Sequence, residues 1–374
     1  MSTTIEAIEA IIVEGGWRNY VLARVRDADG AEGYGEATLK QKEKSVAAAV
    51  VELGATIVGR DVGAIEAVFR DLFVRDHWRG GVVHNSAISG IETALWDLLG
   101  KRCGLPVWQL FGGRVHDGIR LYANGWFRAS TRRPELLAAA EGTVGLGFGG
   151  LKWNPFLRDI ETAVRPSQRR DALRRAAEEV HAVRAHVGSD VDLLVECHGL
   201  LDKEEALLLC EEIAPADPLL IEEPVHPSSI EDLSWLAARS RVPIAAGERW
   251  FTRWDVLSVL ARTPLAVLQT DVCHSGGLAE LKKVASLAEG AATRLAPHNS
   301  AGPVATIATA HVMLTCPNFL ILETFHLDDA WGQGIVVGDH AIREGHLHLS
   351  EAPGLGIEPN ESGLERRTMS IAST

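Results

Sequence analysis

The sequence predicts a (β/α)8-type barrel, a modified TIM barrel, carrying an N-terminal α+β capping domain. Three observations predict it. From about residue 120, eight short apolar or β-branched runs begin at Tyr122, Gly150, Val191, Leu219, Pro243, Leu265, Arg294 and Phe319, each followed by a helical stretch. The residues before 120 instead group short strands first and helices after them. The chain has 374 residues, long for one ordinary domain and short for three. A doubly wound open sheet is the alternative for alternating strands and helices, but no GxGxxG or P-loop stands at a strand end to favour it.

Taken in order, residues 5–14, 18–27 and 31–37 read as strands, with Asp27-Ala28-Asp29-Gly30 as the hairpin turn between the last two. Helical patterns follow near 43–59, 63–74 and 84–102, the last with Ile88, Ile91, Leu95 and Leu98 at helical spacing. The eight runs then follow, mostly 22–29 residues apart. The longer gap from 150 to 191 holds an Arg-rich helical insertion around 165–186. Pro353-Gly354-Leu355-Gly356 marks a turn near the end. The resulting division is a capping domain over 1–120, a barrel over 121–338, and a segment 339–374 that returns to the capping domain. No Pro-rich linker separates the parts, so they are expected to pack tightly.

Composition bounds the partners. A formal charge of −13 argues against nucleic acid or an anionic membrane as the main partner, and says little about small substrates. Apolar residues make up 46% of the chain, enough for a sizeable core. Five scattered cysteines without a CxxC pair, and an N-terminus without basic or apolar leader regions, read as reduced thiols in a cytoplasmic protein. No apolar run is long enough for a membrane-spanning helix.

The chemistry lies in the last residues of each run. Seven consecutive runs finish in an ionisable residue: Lys152, Glu196, Glu222, Glu248, Asp271, His298 and Glu323. One polar residue after a strand is ordinarily the start of a loop. Seven in register line one mouth of a barrel, where active sites are built. Glu196, Glu222 and Glu248 come from neighbouring strands, and their like charges would repel in a confined site. A hard dication resolves the repulsion, and all-oxygen ligands favour Mg²⁺, Mn²⁺ or Ca²⁺ over zinc. Alternation puts Glu223 on the face away from Glu222 and Cys197 in the core. It puts His198 beside Glu196, and Asn154 beside Lys152. Asp271 and His298 end adjacent strands, where a carboxylate on one imidazole nitrogen raises the basicity of the other.

A dication flanked by two such groups suits proton abstraction next to a carboxylate, with the metal stabilising the enediolate. The sequence resembles the mandelate racemase branch of the enolase superfamily nearly end to end. The resemblance rests on Ser86-Ala87-Ile88-Ser89-Gly90-Ile91-Glu92-Thr93-Ala94-Leu95-Trp96-Asp97, Ile221-Glu222-Glu223-Pro224 and Gly247-Glu248-Arg249. It extends through Asp271 with Gly276-Gly277, Ala296-Pro297-His298 and Pro353-Gly354-Leu355-Gly356. Within that branch the chain is most similar to acid-sugar dehydratases of the galactonate dehydratase type, matched at Lys152–Asn154, Glu196–His198 and Gly247–Arg249.

The resemblance implies an enolase-like fold and a carbon–oxygen lyase of carbohydrate catabolism that turns an aldonate or aldarate into a 2-keto-3-deoxy acid. It implies one Mg²⁺, with Mn²⁺ as a substitute, on Glu196, Glu222 and Glu248. His298 paired with Asp271 would remove the α-proton, and His198 would protonate the departing hydroxyl. Lys152 and Glu323 would meet the substrate carboxylate, Glu323 in a protonated or proton-sharing form, and Asn154 would bind substrate. Loops near Gly15–Asn19 and Lys40–Lys44 would set substrate length, and a homo-oligomer is expected.

Two departures from the family pattern matter. Glu196 stands where the family usually has Asp, which makes it the ligand expected to reach the ion least well. Asn154 stands where racemases carry Lys, and Asn is no base at neutral pH. Epimerisation, racemisation or cycloisomerisation of a hydroxy or amino acid derivative remains the enzymatic alternative. A sugar-acid-binding protein on a retained barrel is the non-enzymatic one. His274 reads as structural and His226 as a loop residue, while Trp126, Trp153 and Trp250 fall near the mouth.

Overall fold

The structure, a computed structural model, describes residues 3–16, 18–128, 130, 132–163, 165–325 and 334–374. Three antiparallel strands open the chain: β1 (Ile5–Glu14), β2 (Asn19–Asp27) and β3 (Glu32–Glu36). The β2–β3 turn closes on a Gly30 N–H to Asp27 carbonyl bond of 2.9 Å, with Gly30 at φ +84°. Helices Glu43–Ala55 and Val82–Cys103 pack on this sheet. Ile88, Ile91, Leu95 and Leu98 are buried together with Ile8, Val21 and Val25. Between the helices, the predicted 63–74 stretch forms helix Ile65–Phe69 running into a π turn at Arg70–Val74.

Eight parallel strands follow: β4 (Ile119–Ala123), β5 (Gly150–Trp153), β6 (Asp192–Glu196), β7 (Leu220–Glu222), β8 (Ile244–Ala246), β9 (Val267–Leu268), β10 (Arg294–Leu295) and β11 (Leu322–Thr324). Each pairs with the next from β4 to β10. β11 pairs back onto β4, and a Leu295–Phe319 bridge joins its lead-in to β10, closing the barrel. Tyr122, Leu194, Leu220, Ala245, Val267, Ala296 and Ile321 fill the interior. The Arg-rich stretch is helix Pro166–Val187, the ordinary return between β5 and β6.

The sequence pattern did not reveal five short strands after the barrel. β12 (Val336–Gly338) pairs with β15 (Ile357–Pro359), and β13 (Ala341–Arg343) pairs with β14 (His346–His348). β14 adds to β4, and β16 (Thr368–Ser373) adds to the open edge of β1. They are only three to six residues long, too short for periodicity to register. No helix among the described residues is long and apolar enough to cross a membrane.

Three buried carboxylates fasten the N-terminal layer through backbone N–H groups, two to the barrel and one to the C-terminal segment. Glu36, at the end of β3, accepts from Gly302 (2.6 Å) and Ala305 (2.9 Å) at the start of helix Pro303–Met313. Glu92 accepts from Leu278 (2.7 Å) and Ala279 (2.9 Å), opening helix Leu278–Gly290. Asp97 accepts from Tyr34 (2.9 Å) and from Leu355 (2.7 Å) in the Pro-Gly-Leu-Gly turn. Orphan donors at a helix start and its dipole favour a carboxylate there. Gly277 is required for this contact: at φ +104°, a Cβ would stand 2.0 Å from a Glu92 oxygen. Gly35 is required for another, since its Cβ would lie 2.1 Å from the Gly90 carbonyl of the long helix.

Replacing Glu92 by Ala strands two buried backbone donors and the Trp96 indole N–H, which also bonds Glu92 at 2.8 Å. The expected loss is about 2–4 kcal/mol, read as a lower urea midpoint at unchanged slope. A loss below about 0.5 kcal/mol would contradict the fastening role, since that is the ordinary scale of a surface substitution.

Candidate metal and acid–base site

The barrel register sets the site. Glu196 and Glu222 are directly paired across β6 and β7, so both carboxylates leave the mouth at one level. Glu248 follows β8 after Gly247, which passes so close to β9 that a Cβ would lie 2.6 Å from the Gln269 nitrogen. Ligand oxygens of Glu196, Glu222 and Glu248 all lie within 4.8 Å of one another. Three hard oxygen donors at that separation suit a divalent cation. The longer side chain of Glu196 does not leave the cluster. It folds back, with Oε1 accepting from the His198 backbone N–H at 2.6 Å.

Lys152 is buried at the centre. Its Nζ lies 2.8 and 2.9 Å from the two Glu222 oxygens, 2.8 Å from Glu323 and 3.6 Å from Glu196. Burial opposes its charge, but Glu222 and Glu323 outweigh it and raise the ammonium well above its ordinary pKa. Burial raises Glu196 well above the usual carboxylate range, and the neighbouring Glu222 and Glu248 add to this against Lys152. For Glu248 burial acts upward too, but His298, Lys152 and Arg249 bring the net shift below the ordinary value.

His298 and Asp271 form the expected pair, Nδ1 to Oδ2 at 2.7 Å. The other Asp271 oxygen accepts from the Cys273 N–H at 2.7 Å. His298 Nε2 lies 3.1 Å from Glu248. Burial disfavours the imidazolium, yet Glu248, Glu323 and Asp271 push it up to about 10. His198 stands at the other side of the mouth, its ring half-exposed. Its Nδ1 is 3.0 Å from the Asn154 amide nitrogen, which places the ring proton on Nε2. Burial lowers its pKa. β6 and β10 are the third and seventh of eight barrel strands, so the two histidines face each other across the carboxylates.

Two carboxylates beside the cluster have surroundings the sequence did not reveal. Those of Glu323 favour its ionised form. Burial would raise its pKa, but Lys152 and His298 hold it at about 2, and it accepts from Asn124 Nδ2 (2.6 Å) and the Asn299 N–H (2.8 Å). β7 ends at Glu222, and Glu223 beyond it turns to φ +40°. Its carboxylate meets Arg249 at 3.0 Å, and Arg249 also reaches Glu248 at 3.3 Å. Burial first, then Glu248, pushes Glu223 up to about 8.

Other residues fall as follows. Cys197 is core. His274 bonds Ser86 Oγ at 2.8 Å and stands 3.8 Å from Asp271, behind the His298 pair. His226 is an exposed loop residue. Trp126, Trp153 and Trp250 are buried, and their indole N–H groups donate to the Lys152 carbonyl, Glu179 and the Pro227 carbonyl.

Three contributors escaped the sequence reading, which sought only ionisable strand ends. Asn124 ends the first run, and Asn299 follows His298. Gln269, just past β9 and two residues before Asp271, donates to Glu222 at 2.6 Å.

Comparison with known proteins agrees with this geometry. Residues 9–112 match the family described as mandelate racemase / muconate lactonizing enzyme, N-terminal domain, and residues 135–363 match that described as enolase C-terminal domain-like. A D-galactonate dehydratase of Pectobacterium atrosepticum is 34% identical over 93% of this chain and 91% of its own length. A D-gluconate dehydratase of Thermoproteus tenax is 33% identical over 97% of this chain and 74% of its own. The crystal structure of a member of the enolase superfamily from Salmonella Typhimurium superimposes with a TM-score of 0.91 at 26% identity, covering 100% of both chains.

The donor set predicts how cation binding responds to substitution. Glu248→Gln, which removes a ligand charge, and Gln269→Leu, which frees Glu222, are each expected to weaken Mn²⁺ binding by at least about tenfold. Titration followed by electron paramagnetic resonance reads this. Wild-type affinity in Glu248→Gln would contradict the assignment of the site.

Proposed function

Because this chain belongs to the mandelate racemase / muconate lactonizing enzyme family of the enolase superfamily, we propose that it is a hydro-lyase that dehydrates a sugar acid, an aldonate or aldarate, to a 2-keto-3-deoxy acid. The observation that carries the reading is the pair of histidines on opposite sides of one carboxylate cluster, His298 bonded to Asp271 and His198 bonded to Asn154. The names of the relatives, D-galactonate and D-gluconate dehydratase, point to the same chemistry.

A divalent cation on Glu196, Glu222 and Glu248, Mg²⁺ on this reading and Mn²⁺ as its substitute, supplies positive charge beside the substrate carboxylate. Lys152 offers that carboxylate a second cation, and Glu323, ionised, holds Lys152 in place. His298 Nε2 takes the α-proton, with Asp271 fixing the ring on Nδ1. As a base His298 must be neutral. Glu248 is the largest carboxylate contribution to holding its proton, so neutralising Glu248 frees the nitrogen. His198 Nε2 delivers a proton to the β-hydroxyl, which leaves as water. Loss of water across Cα–Cβ gives an enol that tautomerises to the 2-keto-3-deoxy acid. Asn154 sits where a second base would serve racemisation and instead orients His198, which favours elimination. Residues 1–120 act as the cap over this mouth.

A library of mono- and diacid sugars with Mg²⁺, read by semicarbazide for 2-keto acid, tests the reading. Turnover of at least one member is expected, and no turnover of any would overturn it. The two histidines should separate. His298→Asn is expected to lose both keto acid formation and exchange of the α-proton with D₂O, by about 10²–10⁴-fold. His198→Asn is expected to lose keto acid by a similar factor while retaining exchange. Equal loss of exchange in both variants would remove His198 from the acid role.

A further inference from the structure

We propose that His274 and Ser86 are positioning residues for the proton-abstracting base: they reach from the N-terminal layer to the back of Asp271 and set the carboxylate plane that aims His298. The proposal rests on the reading of His298 as the base and names what holds it in line.

Asp271 is the N-cap of a one-turn helix, Val272–Ser275, and its Oδ1 accepts from the Cys273 N–H at 2.7 Å. Its Oδ2 faces two imidazoles. His298 Nδ1 stands 2.7 Å away and His274 Nε2 3.8 Å away. His274 is three residues after Asp271, the spacing that brings two side chains to one side of a helical turn. At 3.8 Å there is no hydrogen bond, but an N–H there attracts the carboxylate oxygen as a dipole, and a bare nitrogen lone pair repels it.

The hydrogen-bond inventory decides which of the two it is. Burial holds the His274 ring below its ordinary pKa, against the pull of Asp271, so the ring is neutral and carries one N–H. A carboxylate beside Nε2 favours the proton there. Nδ1 is then an acceptor, and its partner is the Ser86 hydroxyl at 2.8 Å. Ser86 is fully buried on the long helix Val82–Cys103, and its one proton has a second acceptor, the Val82 carbonyl at 2.7 Å. A Ser86 that donates to Val82 moves the ring proton to Nδ1 and leaves a lone pair toward Asp271. The Ser86 hydroxyl therefore sets whether His274 attracts or repels the oxygen that orients His298.

The same helix holds the far end of this turn. The Gly276 N–H donates to Ser89 Oγ at 2.8 Å, and Gly276 takes φ +104°. Ser86 and Ser89 thus grip the Asp271 segment twice, once through the His274 side chain and once through backbone. Neither Ser86 nor His274 lines the cavity beside His198 and Asn154. They act on the reaction through Asp271. A reacting group displaced by about 1 Å can cost on the order of 10²-fold in rate, whereas binding of the substrate carboxylate falls to other residues.

Kinetics on the sugar acid that the library identifies test this. In His274→Leu, kcat and α-proton exchange with D₂O are expected to fall together by about tenfold or more, with KM within about threefold of wild type. His274→Gln, whose amide can donate to Asp271 and accept from Ser86, is expected to recover most of that loss. Ser86→Ala is expected to lose about threefold in kcat, and nothing further when combined with His274→Leu, because it acts through the same ring. Wild-type kcat in His274→Leu, a rise in KM alone, or additive losses in the double variant overturns the proposal. Should His274→Leu not fold, Ser86→Ala decides: a lowered kcat at unchanged KM upholds the proposal and an unchanged kcat overturns it.

A second readout needs no substrate. In protein with ¹⁵N-labelled histidine, the His298 Nδ1 proton bonded to Asp271 is identified by its loss in His298→Asn. Its resonance is expected to move or vanish in His274→Leu and to return in His274→Gln. An identical resonance in the wild type and both variants overturns the proposal, whichever acid is turned over. If no sugar acid is turned over and the resonance moves as expected, the sugar-acid reading fails and the aiming of His298 by His274 stands.

Discussion

The buried Lys152 ammonium is the interaction on which the mouth of this barrel depends. Six carboxylates converge there (Glu196, Glu222, Glu223, Glu248, Asp271 and Glu323) and share three neighbouring cations, Lys152, Arg249 and His298. Two unit charges at 4 Å interact by about 4 kcal/mol at an effective dielectric constant near 20, so the arrangement is costly unless it is compensated. Lys152 touches carboxylates from three different strands, a bond no single strand end could replace. The rest of the deficit shows in the residues themselves: Glu196, Glu223 and His298 are all pushed upward. A dication among Glu196, Glu222 and Glu248 would relieve both at once.

The N-terminal layer serves the same end by fixing the loops that carry the site. Glu36 ties the backbone at Gly302 and Ala305, a few residues after His298 and Asn299. Ser86, Ser89 and Glu92 lie three residues apart on one face of the long helix. They bond His274, the Gly276 N–H and the start of helix Leu278–Gly290 in turn. That segment begins at Asp271, so one helix face holds the carboxylate that orients His298. The conspicuous run from Ser86 to Asp97 in the sequence is thus a clamp, not a catalytic motif.

Much of this was legible in the sequence, and the reason is register. Parallel strands carry their polar ends to one rim, so the seven ionisable strand ends, Lys152 to Glu323, mark both the barrel and the mouth where they gather. What escaped reading has physical causes. Asn124 and Gln269 are neutral amides, invisible to a search for charge. Glu223 sits past the strand end at a positive φ, and its Arg249 partner comes from another strand's loop. The charge state of Glu323 depends on Lys152 and His298, which lie far from it in sequence. The strand β16 is short and exposed, with no apolar pattern to mark it.

The central claim is that charge balance around Lys152 holds the mouth together, and Lys152→Met tests it most directly. Urea unfolding should be measured with EDTA and again with saturating Mg²⁺. The account predicts a loss of about 3–5 kcal/mol relative to wild type in EDTA, the scale of breaking a buried ion pair, and partial recovery when the dication supplies the missing positive charge. Unchanged stability in EDTA, or no greater stabilisation by Mg²⁺ in the variant than in the wild type, would contradict it.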